Sequence, residues 1–317
     1  MTRALSCWLF AVVLLAPTVA RAEPKLDGEL GVATASWDAC EGAKTRGRYF
    51  LGRFGHGVGV VEVGSTNAPA VAKLWARAKP GGSLVAWPGG RAGVRHLEGN
   101  KNWADATSVA SAGRLFVWEG ANGGWGNNLG QITGIELAKS LCDASTLVVY
   151  VVLKLNLPGD GYLIASVTPP EESTDPAAVS ADPSKAVMGK LYGELLKLLD
   201  SGLRSQKLVP AQVSMTVLPG HFTSDALEYA VSVKWSNGFD DRFSTVCLAD
   251  ATGAVTQVID KQEGGAGGIA VQVADLANGK TQDLIYELTT LDGSAAALWS
   301  FKDGAIVPLV QTTPVGE

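Results

Sequence analysis

Asp275, Asn278 and Asp283 stand close together in "VADLANGKTQDLIYEL", from Val273 to Leu288. Carboxylate and carboxamide oxygens gathered in one loop are hard-ligand chemistry, suited to calcium, which takes about six to eight oxygens. The competing reading is a turn in which Asp275 and Asn278 accept from local backbone amides. A second chemistry is offered by Trp103 in "EGNKNWAD" and Trp125 in "NGGWGNN", the latter followed by Asn127 and Asn128. An indole face stacks on a sugar ring while neighbouring amides bond its hydroxyls; alternatively, each indole folds back over the sheet beneath it. Hydrolytic chemistry has thinner support. His56, His96 and His221 are far apart, with no metal-ligand spacing, and Gly-x-Ser-x-Gly is absent, leaving at most a grouping around His96, Trp103 and Asp105. The run Gly120 to Gly130 approaches a dinucleotide fingerprint, but Leu129 stands where its third glycine belongs.

These residues need elements to hold them. "RYFLGRF" and "VGVVEV" flank "GHG" as a hairpin, "APAVAKLWARAK" has helical spacing that Pro80-Gly81-Gly82 ends, and "SLVAW" with "GVRHL" reads as a second hairpin. "RLFVWEG" reads as a strand, Ile132, Ile135, Ala138 and Leu141 as a helix face, and "TLVVYVVLKLNL" as a buried strand. The Pro-, Ser- and acid-rich stretch from Thr168 to Pro183 lacks large apolar residues except Val179, as expected of a linker. A helix follows, with Asp182 as N-cap, Pro183 in the first position, an apolar face from Val187 to Leu199, and Gly202 at its end. Beyond it eight short strand patterns alternate with turn residues, the signature of an antiparallel meander. The expected fold is mainly β, of α+β type: an antiparallel meander sheet with one long packed helix, preceded by a mixed β-rich domain.

The segment from about Gly268 to Val310 resembles an FG-GAP or VCBS-type repeat in degenerate form. Asp275, Asn278, Gly279, Asp283 and Leu284 match the repeat's aspartate-rich loop between two strands. The central Asp-Gly is missing and Lys280 stands where further oxygen ligands would help. The resemblance implies a β architecture, a calcium site at Asp275, Asn278 and Asp283, and a role in adhesion or ligand binding.

The first residues bear on where such a protein works. Arg3, an apolar run from Leu5 to Ala16, and Ala20-Arg21-Ala22 together read as a signal peptide cleaved near Ala22, giving a secreted or periplasmic protein. Cleavage removes Arg3 and Arg21 and no acid, taking 26 basic residues to 24 against 31 acids and the net charge from -5 to -7. With no basic cluster to neutralise phosphates, nucleic acid is excluded as a partner. No later run is long and unbroken enough to make an integral membrane protein. At 46% hydrophobic and 18% charged residues, the chain can bury a core. The expected division is residues 1–22 as signal peptide, 23–167 as the N-terminal domain, 168–182 as linker, and 183–317 as helix plus antiparallel sheet. Cys40 and Cys142 fall in the first domain and form the expected disulfide, leaving Cys247 as a buried thiol. The functional expectation is an exported non-catalytic module for a glycan or an envelope or extracellular protein, with no cofactor called for; calcium is the one that the loop of Asp275, Asn278 and Asp283 could take, against the preferred reading of that loop as a turn. The alternative is a secreted hydrolase.

Overall fold

The computed structural model describes residues 48–66, 69–82, 93–119, 129–143, 145–169, 182–198, 213–236, 241–263, 267–274, 276, 281–289, 294–302 and 305–314. The first part of the chain runs through β1 (Tyr49–Gly55), β2 (Val58–Thr66), α1 (Pro69–Arg77), β3 (Lys79–Pro80), β4 (Arg95–Leu97), α2 (Asn100–Ala106), a 3-10 turn (Ser108–Ala112), β5 (Arg114–Glu119), β6 (Leu129–Lys139), β7 (Leu147–Lys154) and β8 (Asp160–Ser166). His56 and Gly57 both take positive φ, 52° and 78°, which is what a two-residue hairpin turn between twisted strands demands. Hydrogen bonds join the strands in the order β6-β5-β8-β1-β2-β7, and β7 also pairs with β6, so six antiparallel strands close into a barrel. Closure gives each of these strands a hydrogen-bonded neighbour on both sides over at least part of its length, removing the long open edges of a flat sheet. Strand alternation sends Val61, Val63, Leu115, Leu137, Val151 and Leu163 inward, where each is buried.

One edge of β6 is shared. Its first residues, Leu129 to Gln131, pair with β5, whereas Ile135 to Leu137 pair with β4, which carries β3 outside it. The gap between β4 and β5 is covered by α1, α2 and the 3-10 turn, whose Leu74, Trp75, Trp103, Ala106 and Val109 pack on the barrel core.

The second part begins with α3 (Lys185–Leu198) and continues through β9 (Val213–Gly220), β10 (Glu228–Ser236), β11 (Asp241–Asp250) and β12 (Val255–Glu263), a four-stranded meander. A second meander follows: β13 (Gly267–Ala274), β14 (Asp283–Thr289), β15 (Ser294–Lys302) and β16 (Ala305–Gln311). Leu191 and Leu195 of α3 are buried on one face of the first meander, against Tyr229, Val231 and Cys247. Its other face, with Ala230, Val246 and Leu248, packs on Leu284, Tyr286 and Trp299 of the second. The reverse side of that second sheet, through Ile285, Ala296 and Leu298, meets Leu51, Trp118 and Ile164 on the outside of the barrel. The layers are therefore helix, sheet, middle sheet, barrel, and the middle sheet is apolar on both faces. No described helix is long and apolar enough to cross a membrane.

The mainly β, antiparallel architecture is the one expected, and all eight C-terminal strands fall where the turn residues place them. Three local expectations are corrected. Ile132, Ile135 and Ala138 lie on a strand, not a helix: a bulge between Ile132 and Gly134 inserts a residue, so Ile132 and Ile135 both face the barrel interior three positions apart. The eight strands form two sheets instead of one. Helix α3 starts at Lys185, with the Ser184 hydroxyl accepting from the Val187 amide at 3.3 Å, so Ser184 takes the capping role expected of Asp182. Strand β8 and helix α2 were not anticipated. "SLVAW" and Gly202 lie outside the described residues.

Candidate functional site

Glu62 and Glu136 are single acids inside otherwise apolar strands, "VGVVEV" and "ITGIELAK". Alternation turns both to the outside of the barrel, a position usually open to water. Strand register sets Glu62 opposite Tyr150, Tyr150 opposite Glu136, and Glu136 opposite His96. Residues facing one another across a ladder have Cβ atoms about 5 Å apart, so the Cβ atoms of Glu62 and Glu136 lie on either side of that of Tyr150, about 10 Å from each other. All three are nonetheless buried: Glu62 is 1% exposed and Tyr150 and Glu136 0%.

Two segments cover this row. At one end the chain after β16 crosses Glu62, and Thr313 donates its backbone N–H to Oε2 and its hydroxyl to Oε1, each at 2.8 Å. Over Glu136 lies Gly82, where a Cβ would sit 2.7 Å from the carboxyl carbon; the site tolerates only glycine without movement. Burial pushes the Glu62 carboxyl up to about 8, against the opposing pull of the two Thr313 bonds. Burial, then the neighbouring charge of Glu62, pushes the Tyr150 phenol up as well. A carboxyl protonated at neutral pH with a second acid nearby is the kind of pair that general acid and base catalysis uses. Here, though, the side chains face covering backbone.

Two of the other buried acids, Glu287 and Asp260, join layers. Tyr162 of the barrel donates its hydroxyl to Glu287 of the middle sheet, and the Arg53 guanidinium lies 4.8 Å above the Tyr162 ring. Tyr286 donates to Asp260 of the first meander, while Gln262 Nε2 reaches both Asp260 oxygens at 3.1 and 3.2 Å. Tyr286 also stacks on Trp299, centroids 4.4 Å apart. Glu228 accepts from the amides of Phe222 and Thr223, at 2.9 and 2.6 Å, and from the Thr223 hydroxyl at 2.6 Å. That loop ties to the middle sheet by the His221 amide, which donates to Gln282 Oε1 at 2.9 Å. Burial strengthens such bonds and makes their loss costly.

Only some of the residues singled out from the sequence fall among the described ones. Trp103 lies on α2, half-buried against the barrel core, and its indole N–H donates to the Leu97 carbonyl at 2.6 Å. Trp125, Asn127 and Asn128 lie outside the described residues. Asp275 and Asn278 are also outside. Asp283 is 1% exposed at the start of β14, and its Oδ2 accepts the Leu276 amide at 3.1 Å, the kind of bond a turn makes. No group of three or more His, Cys, Asp or Glu able to hold a metal ion occurs among the described residues. Asp105 is exposed on α2. His56 is exposed in its hairpin turn, His96 joins the acid row, and His221 Nδ1 meets the Ala226 carbonyl at 2.9 Å, so the three histidines remain apart. Cys142 is disulfide-bonded, Cys40 lies outside the described residues, and Cys247 is a free, fully buried thiol that burial pushes up to about 12.

The acid row was missed in the sequence, though it left a signal: one carboxylate in the middle of an apolar alternating run is costly unless something covers and bonds it. Scanned against family models, curated proteins and solved structures, the chain matches none of them.

Proposed function

We propose that the chain is an exported, non-catalytic interaction protein: a rigid stack of sheets that presents loops to a glycan or to a protein of the envelope or extracellular space. The observation that carries this reading is the use made of the buried polar groups. Tyr162 with Glu287, Tyr286 with Asp260, and Glu62 with Thr313 each bridge two layers or segments. Groups that could do chemistry hold the scaffold together instead. The disulfide at Cys142 favours an oxidising compartment, in keeping with the expected cleavage near Ala22.

Trp125, with Asn127 and Asn128, is the stronger sugar-contact candidate, since the Trp103 indole N–H is already engaged by Leu97. A glycan array on the mature protein tests this. Binding lost in Trp125→Ala but kept in Trp103→Phe supports the reading, and no binding, or binding indifferent to Trp125, rejects the glycan. The calcium proposal at Asp275, Asn278 and Asp283 is checked by melting with millimolar calcium and with a chelator, because a ligand preferring the folded state must raise Tm.

The alternative of a secreted hydrolase draws on the row Glu62, Tyr150, Glu136 and His96. It requires turnover of a glycosidic or ester substrate that Glu136→Gln abolishes while leaving Tm close to that of the parent.

A further inference from the structure

The last described residues, Gln311 to Pro314, are all buried. They are tied on both sides. Towards the middle sheet, the Thr312 amide donates to the Ala296 carbonyl and the Ala296 amide to the Thr312 hydroxyl, both at 2.8 Å. Towards the barrel, Thr313 gives both its donors to Glu62, and the Leu141 amide donates to the Pro314 carbonyl at 3.0 Å. This segment thus spans the junction of barrel and middle sheet, and on the barrel side Thr313 is held by a titratable group, Glu62.

We propose that Gln311–Pro314 is a pH-governed latch, closed over Glu62 while that carboxyl is protonated and loosened when it ionises, so that the grip between barrel and middle sheet weakens in alkaline solution. The groups facing Glu62 reinforce this direction. β7 presents Tyr150, and β6 beyond it presents Glu136, a second acid. His96 stands on the far side of Glu136, and Lys79 opposite His96 is engaged by Glu98 at 2.8 Å. From β1, Arg53 lies over Tyr162. The latch itself brings only Gln311, Thr312 and Thr313, which carry no charge.

The sign follows from where the proton is held. With the latch shut Glu62 keeps its proton to about 8, against an ordinary value of 4.5. Lifting the latch admits water to the carboxyl and returns it towards the ordinary value, so the open state binds the proton more weakly. Between the two values each pH unit favours opening by up to about tenfold.

Hydrogen exchange of the Thr313 and Ala296 amides tests the latch on the full chain, corrected for intrinsic exchange and referred to the Val151 amide in β7. The expected result is at least a tenfold fall in protection relative to Val151 between pH 6 and pH 9 in the parent, and a flat profile in Glu62→Gln. A flat parent profile, or an equal fall in the variant, overturns the proposal. If Glu62→Gln does not fold, Thr313→Val serves. Removing a donor that favours the ionised carboxyl must move the midpoint of the protection profile to higher pH, and an unmoved midpoint likewise overturns it.

Discussion

Glu62 is where a single side chain weighs most on the whole. Its carboxyl is raised in the folded state, so folding takes up a proton: stability is greatest below the ordinary carboxyl range and declines as pH rises from about 4.5 to about 8. At 1.36 kcal/mol per unit the ceiling on this loss is about 5 kcal/mol. Urea unfolding at pH 5, 7 and 9 should show the decline, and Glu62→Gln should flatten it and exceed the parent at pH 9. Glu228 is held by three donors of its own loop. Glu228→Ala orphans the Phe222 and Thr223 amides, the former in a fully buried residue, and should cost about 3 kcal/mol by denaturant titration. The sequence shows each of these acids plainly but not its partner. Thr313 lies 251 residues from Glu62, and nothing in either local pattern announces the meeting.

At the level of elements, punctuation was legible and phase was not. Turn residues such as "GHG", "ATG" and "LDGS" mark every hairpin of the C-terminal sheets and the first hairpin of the barrel. β6 was hidden by its own bulge, which turns a period of two into a spacing of three that imitates a helix. β8, "DGYLIAS", was overlooked because it directly precedes the linker-like stretch, yet it joins β1 to β5 and without it the barrel cannot close. Closure also depends on Gly52 of β1, where a Cβ would press on the Val60 carbonyl and approach the Val61 Cα at 2.7 Å. Gly52→Ala must therefore part β1 from β2. The expected cost is about 1–3 kcal/mol, seen as a lower urea midpoint.

For the molecule as a whole, the expected linker from 168 to 182 joins two parts that share a buried boundary. The middle sheet places Ile285, Ala296, Leu298 and Val310 against the barrel. Residues 182–317 expressed alone should expose that face and aggregate, whereas the full chain should unfold in one transition, seen alike by tryptophan fluorescence and circular dichroism. A second transition attributable to the barrel would contradict this. A clue was present in "DLIYELT", where Leu284, Tyr286 and Leu288 alternate with Ile285 and Glu287; a strand with large residues on both sides belongs inside a stack. What the alternation cannot say is which layer lies on which side, because burial has no direction. The tail that crosses Glu62 also bears on the order of synthesis. Glu62 in β2 precedes Thr313 by 251 residues and so leaves the ribosome at least about 10 s ahead of it at usual elongation rates. Until then the Glu62 carboxyl stands in water and is ionised at neutral pH. A barrel formed in that interval holds Glu62 charged, and seating Thr313 over it takes up a proton from the medium.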